Sequence, residues 1–85
     1  LSSISERIRE VIEAYGQLVA NVSKLKDTDD LFEYGMSSHA TINVMLALES
    51  EFHIEFPDSL LRRASFQSID AIREAIESLG VTDIS

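Results

Sequence analysis

The chain has 85 residues, enough for one all-α domain over residues 1–85 with a single modest core. Seven basic residues against fifteen acidic ones leave a net charge of -8, which argues against nucleic acid or an anionic membrane as partner and points to proteins with basic patches. With no cysteine there is no disulfide, no cysteine-based metal site and no thiol of the chain's own.

The sequence begins Leu1-Ser2-Ser3-Ile4-Ser5-Glu6, and an initiator methionine, with or without a few further residues, is expected before it. This start lacks the basic residues and apolar run of a secretory leader. No apolar stretch approaches the ~20 residues that span a bilayer.

The first helix is expected from Ser3 to Asn21. Ser3 followed by Glu6 fits a capping box, in which each side chain bonds the other's backbone N–H. Ile4, Ile8, Val11, Ile12, Tyr15, Leu18, Val19 and Val22 recur at spacings of three and four, which makes one apolar stripe. Gly16 weakens its later turns.

Residues 23–37 read as a long loop pinned by Leu25, Leu31, Phe32 and Met36. A loop of this length is often functional. The second helix is expected to start at Ser37 or Ser38 and end near Phe52, with Ile42, Met45, Leu46, Leu48 and Phe52 inward and Val44 and Ala47 widening the stripe. An extended connector follows from His53 to Asp58, because Pro57 disfavours helix at Phe56. Asp58 or Ser59 then caps a short helix over Ser59–Ala64. The last helix runs from Ser68 to Leu79, with Ile69, Ile72, Ile76 and Leu79 inward and Gly80 as its stop. The expected architecture is a bundle of three main helices and one short one, with a long loop between the first two.

Several common chemistries lack their residues. Asp27-Thr28-Asp29-Asp30 has neither the central glycine nor the bidentate glutamate of a calcium loop. His39 and His53 are too far apart in sequence for the usual zinc spacing. No glycine-rich phosphate loop, basic face or nucleophile–base pair is evident, so no metal site and no catalytic residue is expected.

The segment Gly35-Met36-Ser37-Ser38-His39 leads into Leu48-Glu49-Ser50-Glu51-Phe52-His53-Ile54-Glu55-Phe56-Pro57. This pattern resembles the acyl and peptidyl carrier protein family, whose signature is a Gly-x-Asp-Ser-Leu loop, a helix ending Leu-Glu-x-Glu-Phe, and then Ile-x-hydrophobic-Pro. Gly35, Ser38, Leu48, Glu49, Glu51, Phe52, Ile54, Phe56 and Pro57 match it.

The resemblance implies that Ser38 carries 4'-phosphopantetheine, placed there from coenzyme A by a phosphopantetheinyl transferase. Cargo would ride on the terminal thiol as a thioester, and the protein itself would not be an enzyme. The position suits a phosphodiester, since a helix N-terminus has free backbone N–H groups and a positive dipole end. Ser37 would then be the capping residue.

Ser37 stands where the family has aspartate and His39 where it has leucine. Ala40, Asn43 and Ser50 replace acids common in fatty-acid carriers, and Arg62 and Arg63 occupy a region where acids are usual. Ser37, His39, Ile42, Leu46, Glu49, Arg62 and Arg63 are accordingly the candidate partner-recognition residues, for partners other than fatty-acid synthesis enzymes.

Gly35-Met36-Ser37-Ser38 together with Phe56–Arg63 and Ser65–Ile69 looks like the stand-alone aminoacyl carrier proteins. Those receive a small amino acid from an ATP-dependent ligase similar to seryl-tRNA synthetases. The resemblance implies a monomeric cytoplasmic carrier of an aminoacyl thioester. A fatty-acyl or polyketide-type carrier and an unmodified interaction module are the alternatives.

Overall fold

A computed structural model describes residues 3–82. Leu1, Ser2 and residues 83–85, which the one-domain expectation also covers, lie outside the described residues. Three α-helices make the frame: α1 (Ile4–Tyr15), α2 (Ser38–Phe52) and α3 (Ile69–Ser78). Tight 3-10 turns occupy Val22–Lys24, Leu31–Tyr34, Asp58–Leu60 and Arg63–Phe66. No strand occurs among the described residues.

The capping box at the start of α1 forms as expected: Glu6 N–H donates to Ser3 Oγ at 3.1 Å, and Ser3 N–H donates to Glu6 Oε1 at 3.2 Å. Ile4, Ile8, Val11 and Ile12 are buried. The helix ends at Tyr15, six residues before the expected end at Asn21. Gly16 N–H closes the last turn on Ile12 O at 2.7 Å, and a Cβ at this glycine would lie only 2.8 Å from that oxygen. Gln17 then takes φ 56°, which turns the chain off the helix axis. The spacing of Leu18 and Val19 was therefore coincidental, and Val19 is 87% exposed.

The long loop has structure of its own. Arg9 on α1 clasps it, donating to Val22 O at 2.7 Å, Leu25 O at 2.8 Å and Asp27 Oδ1 at 2.6 Å. The guanidinium fork thus bonds two loop carbonyls and a loop carboxylate at once, with Val22 O also accepting from Leu25 N–H at 3.1 Å. Leu31 N–H donates to Gln67 O, tying the loop to the start of α3. Leu25, Leu31 and Met36 are buried as expected. Two acids of this loop are turn caps: Asp29 accepts from Lys26 N–H, Asp30 from Phe32 N–H.

In α2 the buried residues are Ala40, Val44, Leu48 and Phe52, one every four positions. That stripe is rotated from the expected one: Ile42 and Leu46 are 54% and 53% exposed. Ala40 is core, so it does not belong to the thinned acidic face assigned to it.

His53 ends the helix in the left-handed region, φ 55°, with its N–H on Glu49 O. The extended connector follows, and Phe56 packs edge-to-face on Phe66 at 5.4 Å. The expected short helix over Ser59–Ala64 is split into two 3-10 turns, with Arg62 extended at φ -144° between them. Neither Asp58 nor Ser59 caps it; the leading residue is Pro57, which makes no side-chain cap.

α3 is capped by Ser68, whose Oγ accepts from Ala71 N–H at 3.0 Å. It buries Ile69, Ile72, Ala75 and Ile76; Leu79 lies just past its end and packs on the rim. α1 lies against both α2 and α3, and the isoleucines of α1 and α3 make the centre of the core.

Candidate functional site

Gly35 closes the turn that delivers the chain to α2. Its φ of 104° favours glycine, and its N–H donates to Phe32 O and Leu31 O. Met36 is buried directly after it and anchors the approach. Ser37 is extended and caps α2: its Oγ accepts from Ala40 N–H at 3.0 Å, while its carbonyl accepts from the Thr41 hydroxyl at 2.8 Å. The division of labour expected for the serine pair is therefore present. Ser37 holds the helix end, and the Ser38 hydroxyl is not engaged in the cap. Ser38 is the first residue of α2 and is exposed.

Beside Ser38 lies an open groove of about 360 Å³. The α2 wall is Ser38, Thr41, Ile42 and Met45, which spacings of three and four place on one face. Leu61, Arg62, Arg63 and Phe66 make the opposite wall, and Phe32 closes the end. Arg63 stacks its guanidinium 3.9 Å from the Phe32 ring centre, which links the loop before Ser38 to the segment after Pro57.

Of the candidate residues, the structure brings Ser38, Ile42, Arg62 and Arg63 around this groove. Leu46 is one turn beyond Ile42, exposed on the same side of α2. Ser37 and His39 are exposed at the helix start and do not line the groove. Glu49 is committed elsewhere: its Oε2 accepts from Phe56 N–H at 2.9 Å and fixes the connector to the end of α2.

Sequence reasoning missed Thr41, Met45, Leu61 and Phe66 as groove residues. Met45 was assigned to the core and Leu61 to a short helix, and no local signal marks either as facing a cleft. Among the described residues, no cluster of three or more histidines and acids is placed to hold a metal ion.

A pantetheine arm alternates methylene segments with amides and begins at a phosphodiester. The residues here fit such a group: an accessible hydroxyl at a helix N-terminus, an apolar groove beside it, and one hydroxyl and two guanidinium groups on its walls.

Residues 6–76 match the family described as phosphopantetheine attachment site. The chain is 46% identical over 70 residues to the aminoacyl carrier protein of Agrobacterium fabrum, covering 82% of this chain and 84% of that one. It is 31% identical over 71 residues to the D-alanyl carrier protein of Leuconostoc citreum, covering 82% and 91%. Its fold is similar to that of an Agrobacterium tumefaciens carrier protein crystallised with ATP and an engineered glycine:[carrier protein] ligase of Bradyrhizobium japonicum. That match has a TM-score of 0.86 and 43% identity, and covers 88% of this chain and 97% of the other.

Proposed function

The chain belongs to the phosphopantetheine attachment-site family, and from that premise we propose that Ser38 carries the 4'-phosphopantetheine arm and that a small amino acid travels on it as a thioester. The protein is a carrier, not an enzyme, and the arm supplies the thiol that a chain without cysteine lacks. A phosphopantetheinyl transferase installs the arm, and an ATP-dependent amino acid:carrier protein ligase loads it. Residues 1–85 act as a single carrier domain, working as a monomer in the cytoplasm. No helix among the described residues is long and apolar enough to cross a membrane.

The observation that carries this reading is the pairing at the start of α2, where Ser37 takes the cap and Ser38 stays exposed at the mouth of the groove. Similarity to aminoacyl and D-alanyl carrier proteins supports a small amino acid as cargo.

The test has two stages. Incubation with coenzyme A, magnesium and a broad-specificity transferase is expected to add one phosphopantetheine by intact mass, and Ser38→Ala is expected to gain nothing. The holo protein is then offered glycine, D-alanine or a fatty acid with ATP and the engineered glycine:[carrier protein] ligase or an acyl carrier synthetase. Loading by fatty acid and by neither amino acid would return the chain to the fatty-acyl class.

A further inference from the structure

A net charge of -8 misdescribes what a partner meets beside Ser38. From Ser37 to Leu48 there is no acidic residue, and no carboxylate lines the groove. Eight acids sit on the helices away from it: Glu6, Glu10 and Glu13 on α1, Glu49 and Glu51 at the far end of α2, and Asp70, Glu74 and Glu77 on α3; Asp30, Glu33 and Asp58 lie in the turns next to the groove walls without lining the groove.

The cations divide in the same way. Arg7 pairs with Glu51, Arg9 with Asp27 and Arg73 with Asp70. Among the described residues, Lys24, Lys26, Arg62 and Arg63 have no carboxylate partner, and of these four only the two arginines line the groove. Arg63 is stacked on Phe32, while Arg62 is exposed at the groove rim. Beside them stand Ile42, Leu46 and Leu61, each about half exposed. An apolar centre with arginine at its edge is the composition of a protein-docking surface.

Screening decides which charge a docked partner senses. At physiological ionic strength the Debye length is about 8 Å. The molecule measures 31 × 30 × 20 Å, so acids on α1 and at the far end of α2 are largely screened from a partner seated at Ser38. That partner meets two guanidinium groups on an apolar face.

We infer that the protein docking on this face presents carboxylates to Arg62 and Arg63 around an apolar centre, the reverse of the basic patch that the overall charge suggests. The planar fork of arginine suits bidentate pairing with carboxylate. The inference rests on the reading of Ser38 as the loading site, because it names the chemistry of the surface that approaches that site.

The experiment measures the dissociation constant of the holo protein and the engineered glycine:[carrier protein] ligase by calorimetry. At 0.15 M NaCl, Arg62→Gln is expected to weaken binding about threefold and Arg62→Glu about tenfold, while Arg62→Lys, which keeps the charge and loses the fork, weakens it about twofold. The Arg62→Glu penalty is expected to shrink in 1 M NaCl, where the screening length is about 3 Å. Circular dichroism and urea unfolding check that the variants keep the fold.

Unchanged or tighter binding by Arg62→Glu overturns the inference and leaves the carrier reading standing. Unchanged binding with a displaced phosphodiester 31P resonance does the same, and reassigns the arginines to the arm. No binding or loading of the parent protein overturns the carrier–ligase reading, and this inference with it.

Discussion

The two ends of α2 are built on opposite plans. At the C-terminal end the polar groups are tied inward. Arg7 donates to Glu51 Oε2 at 2.9 Å and to Glu51 O at 2.8 Å, and its guanidinium lies 4.1 Å from the Phe52 ring centre. Glu49 holds the backbone of Phe56. At the N-terminal end Ser37 and Thr41 bond only within the first turn, and Ser38, His39, Ile42 and Leu46 are left exposed. One end is closed so that the other can be presented. The proposed attachment of an arm at Ser38 needs a fixed position and an open approach, and one helix supplies both by anchoring at its far end and along its Ala40–Val44–Leu48–Phe52 stripe.

Substitutions along α2 test this division, and the largest effect on stability is expected on the buried stripe. Leu48 is fully buried, and Leu48→Ala is expected to cost about 3 kcal/mol in urea unfolding. A cost no greater than that of an exposed position would mean that α2 is not anchored through this stripe.

Gly35→Ala is expected to cost about 1–2 kcal/mol, because φ 104° is strained for any side chain. The new methyl would meet Val19 Cγ1 at an ordinary 3.4 Å, so strain rather than collision sets the cost. An unchanged urea midpoint would show that the turn before Ser37 can relax without penalty.

Ser37→Ala removes the cap and is expected to cost about 1 kcal/mol. The Ser38→Ala comparison sharpens this test, since Ser38 does not cap and its loss is expected to leave the urea midpoint nearly unchanged. Equal destabilisation by the two variants would undo the division of labour between these serines.

The smallest stability effect is expected at Ile42→Ala, below about 0.5 kcal/mol, as for surface positions generally. The ranking inverts when aminoacylation is the readout: Ile42→Ala raises the KM for the carrier severalfold, whereas Arg7→Ala at the closed end leaves it unchanged. Equal loading defects at both ends would erase the functional side of the comparison.

Much of this was legible before any coordinates. The capping box at Ser3 and Glu6 and the cap at Ser37 are local devices, in which a few neighbouring residues satisfy their own backbone groups. Periodicity located all three helices for the same reason. It failed where apolar residues outnumber the buried face. α2 carries Ile42, Val44, Met45, Leu46 and Leu48 in close succession, so more than one stripe fits, and packing against α1 selected the one through Val44 and Leu48. The α1 stripe overran Gly16 because spacing carries no information about the close approach of residue 16 to Ile12 O.

By itself the sequence determined the three-helix plan, the absence of an intrinsic thiol and the serine at the start of α2, since each depends on residue identity or on contacts within a few positions. Only the tertiary structure decided that Ile42 and Leu46 face solvent, that Leu61, Arg62 and Arg63 stand across a groove from Ser38, and that Glu49 is committed to Phe56 N–H. Those facts depend on how α2 is turned against the rest of the bundle, and a rotation of that helix would change them all. The charge at Ser38 is of the same kind: the total of -8 is written in the sequence, while its absence from this face depends on where the helices carry their acids.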